Sequence, residues 1–275
     1  MAIKIRYIEP IGTDEYVIPV ARDLQKILRP GTELEVVSLT NPHCKHHLEY
    51  HSYEALVAGD LVKITRDAAL NGFDAVVIGC FYDPTIREAR EISGKCIVVG
   101  PAQASLEAMA SLANRFSVII GRPKWADRMR ERIHLCGYGD RLASFRSLGL
   151  GVEEFQKDHK RTEDLMVEAA LKAIREDGAE AIILGCTMEF GFFRKLQEMI
   201  FTEIGVHVPV IDCLYAAIKR AEQLAETKKL FDWYPSRAGS MEAPPEEAEL
   251  RAWNVFDDNF PPLGARHTVT GTDGQ

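Results

Sequence analysis

The chain lacks a long apolar run. Nothing in it approaches the roughly 18 apolar residues that a membrane-spanning helix needs, so no span is expected. It also lacks any basic cluster, and its formal charge is -8. Without a basic stripe, a nucleic-acid surface is excluded. Neither Gly12 nor Gly100 stands in a G-x-G-x-x-G or P-loop arrangement, which argues against a nucleotide cofactor. The opening MAIKIRYIEP reads as a short strand, because no apolar stretch of the signal-peptide kind follows its charges. Cysteine is sparse and scattered, at Cys44, Cys80, Cys96, Cys136, Cys186 and Cys213. Without an export signal these are expected to be thiols in a cytoplasmic protein. His43, Cys44, His46, His47 and His51 crowd one loop, yet their spacing matches no familiar zinc pattern, and no metal is expected.

What the chain has is a phrase that it states twice. Residues 71–80 read NGFDAVVIGC and residues 177–186 read DGAEAIILGC. Each copy is a polar turn, a short run of aliphatic and β-branched residues, then Gly and Cys. The run is too short for a helix and does not alternate, so it reads as a strand buried on both faces. The Gly-Cys then falls at the carboxyl end of a parallel strand, where open α/β sheets place ligands.

The rest of the chain follows the same grammar. Strand-like and helix-like periods alternate, which predicts α/β architecture with mostly parallel, doubly wound sheets. CIVVGPAQASLEAMA in the first half answers VPVIDCLYAAIKRA in the second. Two pseudo-symmetric lobes are therefore expected, with the active site in the cleft between them. The first would hold residues 1–97 plus about 208–231, and the second residues 98–207. From Asp232 the texture turns Pro-, Gly- and acid-rich, so residues 232–275 read as an irregular extension in which Trp233, Tyr234, Trp253, Phe256 and Phe260 are candidate anchors.

Two cysteines at matched positions of a repeat point to chemistry. A thiolate is the useful species, and a strand-to-helix turn lowers a thiol pKa through backbone N–H groups and the helix dipole. Tyr82 and Thr187 are candidate hydrogen-bond donors beside them. Facing each other, Cys80 and Cys186 suit a two-base proton transfer in which one takes a proton from carbon and the other delivers one to the opposite face. One histidine of the loop is a candidate substrate contact, with His47 foremost. Asp83 and Glu189 form a second acid pair, although Asp83-Pro84 reads first as the opening of a helix.

GCFYDPTIREAREI resembles the first cysteine motif of the hydantoin racemases in the aspartate/glutamate racemase superfamily. GCTMEF resembles the second, with a Gly-Cys-Thr more similar to glutamate and aspartate racemases. The likeness runs in order over residues 3–228. It implies a two-lobed fold, no metal or other cofactor, a homo-oligomer, and Cys80 and Cys186 as the acid/base pair. Beside them a substrate site is expected from Pro10, Ile11, Thr13, His47, Glu49, Gly79, Phe81, Tyr82, Gly185 and Thr187, with Arg122 added as a residue of this chain's own that could bind an acidic group. The chain departs from the pattern in three places. Glu9-Pro10-Ile11-Gly12-Thr13 stands where Asn-Pro-Asn-Thr/Ser is usual. Arg122 replaces a usual Thr, and Cys213 a common Gly. The expected activity is cofactor-independent racemisation of a small molecule, a 5-substituted hydantoin or related amino-acid derivative. A lyase or hydrolase acting on a similar ring, such as thiohydantoin desulfurisation or decarboxylation, is the alternative. A non-catalytic small-acid binder is the third reading.

Overall fold

The computed structural model describes residues 2–40, 46–245, 247–253, 255 and 262–272. The chain divides into two compact units, Met1–Gly79 with Pro84–Val99 and Ile218–Gln275, and Cys80–Asp83 with Gly100–Ala217.

In the first unit the order is β1 (Ile3–Ile8), α1 (Val17–Gln25), β2 (Thr32–Leu39), α2 (His51–Leu70), β3 (Ala75–Ile78), α3 (Ile86–Ile92) and β4 (Ile97–Val99). These strands run parallel in the order β4-β3-β1-β2. Every residue of β3 is buried, which is why its sequence carries no polar alternation. In the second unit the order is α4 (Pro101–Ala110), β5 (Phe116–Ile120), α5 (Trp125–Leu135), β6 (Leu142–Ser147), α6 (His159–Asp177), β7 (Ala181–Leu184), α7 (Phe193–Ile204) and β8 (Val210–Asp212). Its parallel sheet has the order β6-β5-β7-β8, the same topology as β2-β1-β3-β4. Helix α8 (Cys213–Phe231) follows β8 directly.

The polar opening of the repeated phrase has a structural task. Gly72 and Gly178 take left-handed backbone angles, φ +73° and +70°, which stop α2 and α6. Two residues later, Asp74 Oδ2 accepts the Lys4 N–H at 2.9 Å, and Glu180 Oε2 accepts the Asn114 N–H at 2.6 Å. In each half a carboxylate thus ties the start of one strand to the residues at the entry of the neighbouring strand.

Three expectations are corrected. Cys80–Asp83 belongs with the second unit, because Asp83 is bonded to Ala102, Gln103 and Arg132 there. Residues 208–217 also belong with the second unit rather than the first lobe, because β8 pairs with β7. The extension is not wholly irregular: α9 (Glu247–Ala252) forms, and β9 (Leu263–Thr270) pairs antiparallel with β2 at the sheet edge. Period-two alternation in RHTVT is what lets that segment add to an open edge.

Among the described residues, the two tryptophans of the extension are not buried anchors. Trp233 and Trp253 are 66% and 61% exposed, while Phe256 and Phe260 lie outside the described residues. Tyr234 instead presents its ring to the Lys95 ammonium at 4.6 Å. Arg237 donates to the carbonyls of Arg90 and Glu91 at 2.8 and 3.1 Å, capping the end of α3.

Candidate active site

The two Gly-Cys steps are built alike. The Gly79 N–H donates to the Ile8 carbonyl at 2.9 Å, continuing the β3–β1 ladder by one residue. The Gly185 N–H does the same to the Ile119 carbonyl, also at 2.9 Å, between β7 and β5. Glycine is required at both places by close approach. A Cβ on Gly79 would stand 2.8 Å from the Ile8 oxygen and collide with the Tyr7 hydroxyl. On Gly185 it would stand 2.7 Å from Val118 Cγ1 and 2.8 Å from the Ile119 oxygen. Cys80 and Cys186 follow, each half-buried. Each cysteine then opens a turn closed by the N–H of the third residue on, Asp83 to the Cys80 carbonyl at 2.9 Å and Glu189 to the Cys186 carbonyl at 3.0 Å.

The helix-dipole expectation needs correction. Residues Phe81 to Thr85 separate Cys80 from α3, and only a single 3₁₀ turn, Thr187–Glu189, follows Cys186 directly. A helix dipole fades within its first turn, so α3 and α7 do little for either thiol. Nor does Asp83-Pro84 cap α3. The Asp83 carboxylate accepts the Ala102 and Gln103 N–H groups at the start of α4, at 2.9 and 3.0 Å, and pairs with Arg132 Nε at 2.9 Å. Burial raises its pKa, opposed by Arg132 and the two backbone donors. Asp83 and Thr85 hold positive φ, +48° and +53°, conformations that the surrounding bonds must enforce.

Cys213 lies near both cysteines. It is fully buried at the start of α8, and its thiol is pushed well above the ordinary range. Burial is the main cause, with added contributions from Asp212, Cys186, Glu189 and Cys80. Both candidate cysteines therefore lie within charge-interaction range of one thiol in the second unit. Asp212, directly before α8, caps it, accepting the Leu214 and Tyr215 N–H groups at 3.0 and 3.2 Å, and it also accepts from Gly191 at 3.3 Å. Phe81, Tyr82, Thr187 and Gly185 are buried in the same unit, while Arg122 is exposed.

In the first unit Pro10 and Ile11 are buried and Thr13 is half-buried, its Oγ1 accepting the Glu15 N–H at 3.4 Å. Glu9, directly after β1, is buried. Burial raises its carboxyl to about 8, opposed by a hydrogen bond that Tyr7 donates at 3.3 Å. His47 accepts the Glu49 N–H through Nδ1 at 3.4 Å and stacks on Tyr53 with ring centroids 5.6 Å apart, and Glu49 is buried. His43 and Cys44 lie outside the described residues. Among the described residues no His, Cys, Asp or Glu cluster has the form of a metal site, and no helix is long and apolar enough to cross a membrane.

Sequence alone marks Asp212 and Glu189 only weakly. The signal for Asp212 was an acid directly before a helix, the ordinary N-cap pattern. For Glu189 it was a shared spacing, Cys-x-x-acid, at Cys80–Asp83 and again at Cys186–Glu189.

The chain's relatives agree with this architecture. The family model described as Asp/Glu/Hydantoin racemase matches residues 5–221. A hydantoin racemase of Paenarthrobacter aurescens is 32% identical over 250 residues, spanning 90% of this chain and 100% of that protein. An allantoin racemase from Klebsiella pneumoniae has a TM-score of 0.77 at 26% identity, with 93% of this chain and 100% of that one covered. Arylmalonate decarboxylase, 19% identical with a TM-score of 0.57 over 81% of this chain and 92% of that one, shares the fold alone. With a family match across most of its length and two parallel sheets of the same order, the chain belongs to the Asp/Glu/Hydantoin racemase family and is an enzyme of its racemase type.

Proposed function

We propose that the protein racemises a 5-substituted hydantoin, or a closely related cyclic amino-acid derivative, without metal or cofactor, using Cys80 and Cys186. The observation that carries this reading is the duplicated strand end: two half-buried thiols in one unit, each directly after a glycine held by the same backbone bond. Relatives named hydantoin racemase and allantoin racemase support the substrate class, since both names describe a C–H flanked by a ring carbonyl and a ring nitrogen.

The chemistry follows from that C–H. The thiolate of one cysteine takes the ring proton, and the electron pair delocalises into the carbonyl as an enolate. The thiol of the other cysteine gives its proton to the opposite face, restoring the C–H with inverted configuration. The two sulfurs end with exchanged protonation states, ready for the reverse enantiomer or for resetting by solvent. General acid–base catalysis of this kind contributes about 10²–10⁴-fold per group.

The test is incubation in D₂O with single enantiomers of several 5-substituted hydantoins, followed by NMR and chiral chromatography. Deuterium at the ring carbon with matching loss of optical purity is the expected result. Cys80→Ser and Cys186→Ser should each reduce racemisation by about 10²-fold or more. Racemisation kept by either variant would remove the two-base scheme. Released sulfide, carbon dioxide or an opened ring would instead reveal lyase or hydrolase chemistry.

A further inference from the structure

The two cysteine turns share backbone geometry but not their acids. In the first turn, Asp83 points away from Cys80, onto the start of α4 and the Arg132 guanidinium. In the second, Glu189 folds back onto its own cysteine: Oε2 accepts the Cys186 backbone N–H at 3.1 Å. The side chain is fully buried, and its other oxygen, Oε1, has no hydrogen-bond partner. Among the described residues no lysine or arginine pairs with it.

We propose that Glu189 is a positioning residue for Cys186 that works as a neutral carboxylic acid, one oxygen holding the Cys186 N–H while the retained proton leaves the thiolate as the only anion of that turn. This rests on Cys186 being one of the two proton carriers.

The surroundings support a proton on Glu189. Asp212 on β8 faces it as a negative charge, its own oxygens taken by the N–H groups of Gly191, Leu214 and Tyr215. Cys213 on α8 is a titratable neighbour of Glu189, as is Cys186, whose N–H Glu189 holds. Gln156, ahead of α6, offers only a neutral amide, which donates to the carbonyls of Met188 and Phe190 at 2.8 and 3.3 Å and so clamps the turn. Burial raises the Glu189 carboxyl well above the carboxylate range; Asp212 adds to this and the backbone N–H groups oppose it. An ionised carboxylate with an unpaired buried oxygen is costly, and the neutral acid is the cheaper occupant. A second anion in the turn would also suppress the ionisation that proton abstraction requires. The Cys80 turn meets the same need differently, with a cation beside its acid.

The experiment is alkylation of Cys186 by iodoacetamide as a function of pH, read by peptide mass spectrometry in the wild type and in Glu189→Gln. It needs no turnover, so it decides the charge state of Glu189 even if the wild type racemises nothing, an outcome that would overturn the functional reading and with it the positioning role, but not the neutral acid. Glutamine mimics a neutral acid, so the expected alkylation rates at pH 7 agree within about twofold. If Glu189 is ionised, removing its charge lowers the Cys186 midpoint by about one unit and raises the rate about tenfold, which would overturn the proposal. The positioning role is read from kcat on the racemised substrate: Glu189→Leu should fall at least about tenfold below Glu189→Gln, with KM within about threefold. Equal kcat values would overturn it. Should Glu189→Gln not fold, glutamate-carboxyl carbon-13 NMR of Glu9→Gln decides: one carboxyl resonance stays at its protonated position at pH 7, and its absence overturns the proposal.

Discussion

Asp83 and Gly100 compete for one small volume: a Cβ on Gly100 would stand 2.6 Å from Oδ2 of Asp83 and collide with the rest of its carboxyl group. The first half thus caps α4 with a carboxylate borrowed from the turn after Cys80. The second half caps α8 with Asp212, the residue directly before that helix. The same electrostatic need at two helix starts is met by different chain positions, and only one solution frees its strand-end residue to be glycine.

Gly100→Ala should therefore displace a buried carboxylate, lowering stability by about 1–3 kcal/mol. Arg132→Ala should cost more, about 3–5 kcal/mol, because it strands a fully buried charge. Urea denaturation of both variants tests this. An Arg132→Ala protein as stable as the wild type would mean that Asp83 is neutral in the fold.

Gly79→Ala and Gly185→Ala should both destabilise, by about 1–3 kcal/mol, since each new methyl meets backbone oxygen that cannot retreat. Gly79→Ala also pushes on the Tyr7 hydroxyl and hence on its bond to Glu9. Thermal melts of the two variants should shift in the same direction. An unshifted melt for either would contradict the close approach.

Glu9 should make stability fall as pH rises. The unfolded chain releases this proton near 4.5, while the folded chain keeps it to about 8. Between those values the native state binds more protons, so raising the pH favours unfolding, by roughly 1.4 kcal/mol per unit of separation. Glu9→Gln should remove this dependence, so its stability gain over the wild type grows from pH 5 to pH 8.5. Urea midpoints at the two pH values measure it, and an equal gain at both would show that Glu9 is ionised in the fold.

Removing β9 should expose the edge of β2. A chain ending at Pro262 loses the ladder from Glu33–Thr270 to Leu39–Leu263 and uncovers the contact of β9 with α1. A lower melting temperature and concentration-dependent light scattering are expected, because an unpaired edge recruits other strands. Monodisperse behaviour with an unchanged melt would show that β9 contributes nothing.

The strands and helices were legible because both halves are written in hydrophobic period, and a run such as AVVI or AIIL has few alternatives once a turn brackets it. Gly72 and Gly178 were legible as stops, and the matched Gly-Cys steps as one feature repeated. β9 was not, because an edge strand's identity depends on the strand it joins, and Pro- and acid-rich neighbours diluted its alternation.

Local patterning thus determined the strands and helices of residues 3–231 and that Cys80 and Cys186 occupy equivalent places. Tertiary structure decided what surrounds them. No local pattern states that Asp83 reaches Arg132, that Glu189 turns back on Cys186 without a cation, or that Glu9 is buried beside Tyr7. Charge state depends on burial and on partners distant in sequence, and both exist only once the chain has folded.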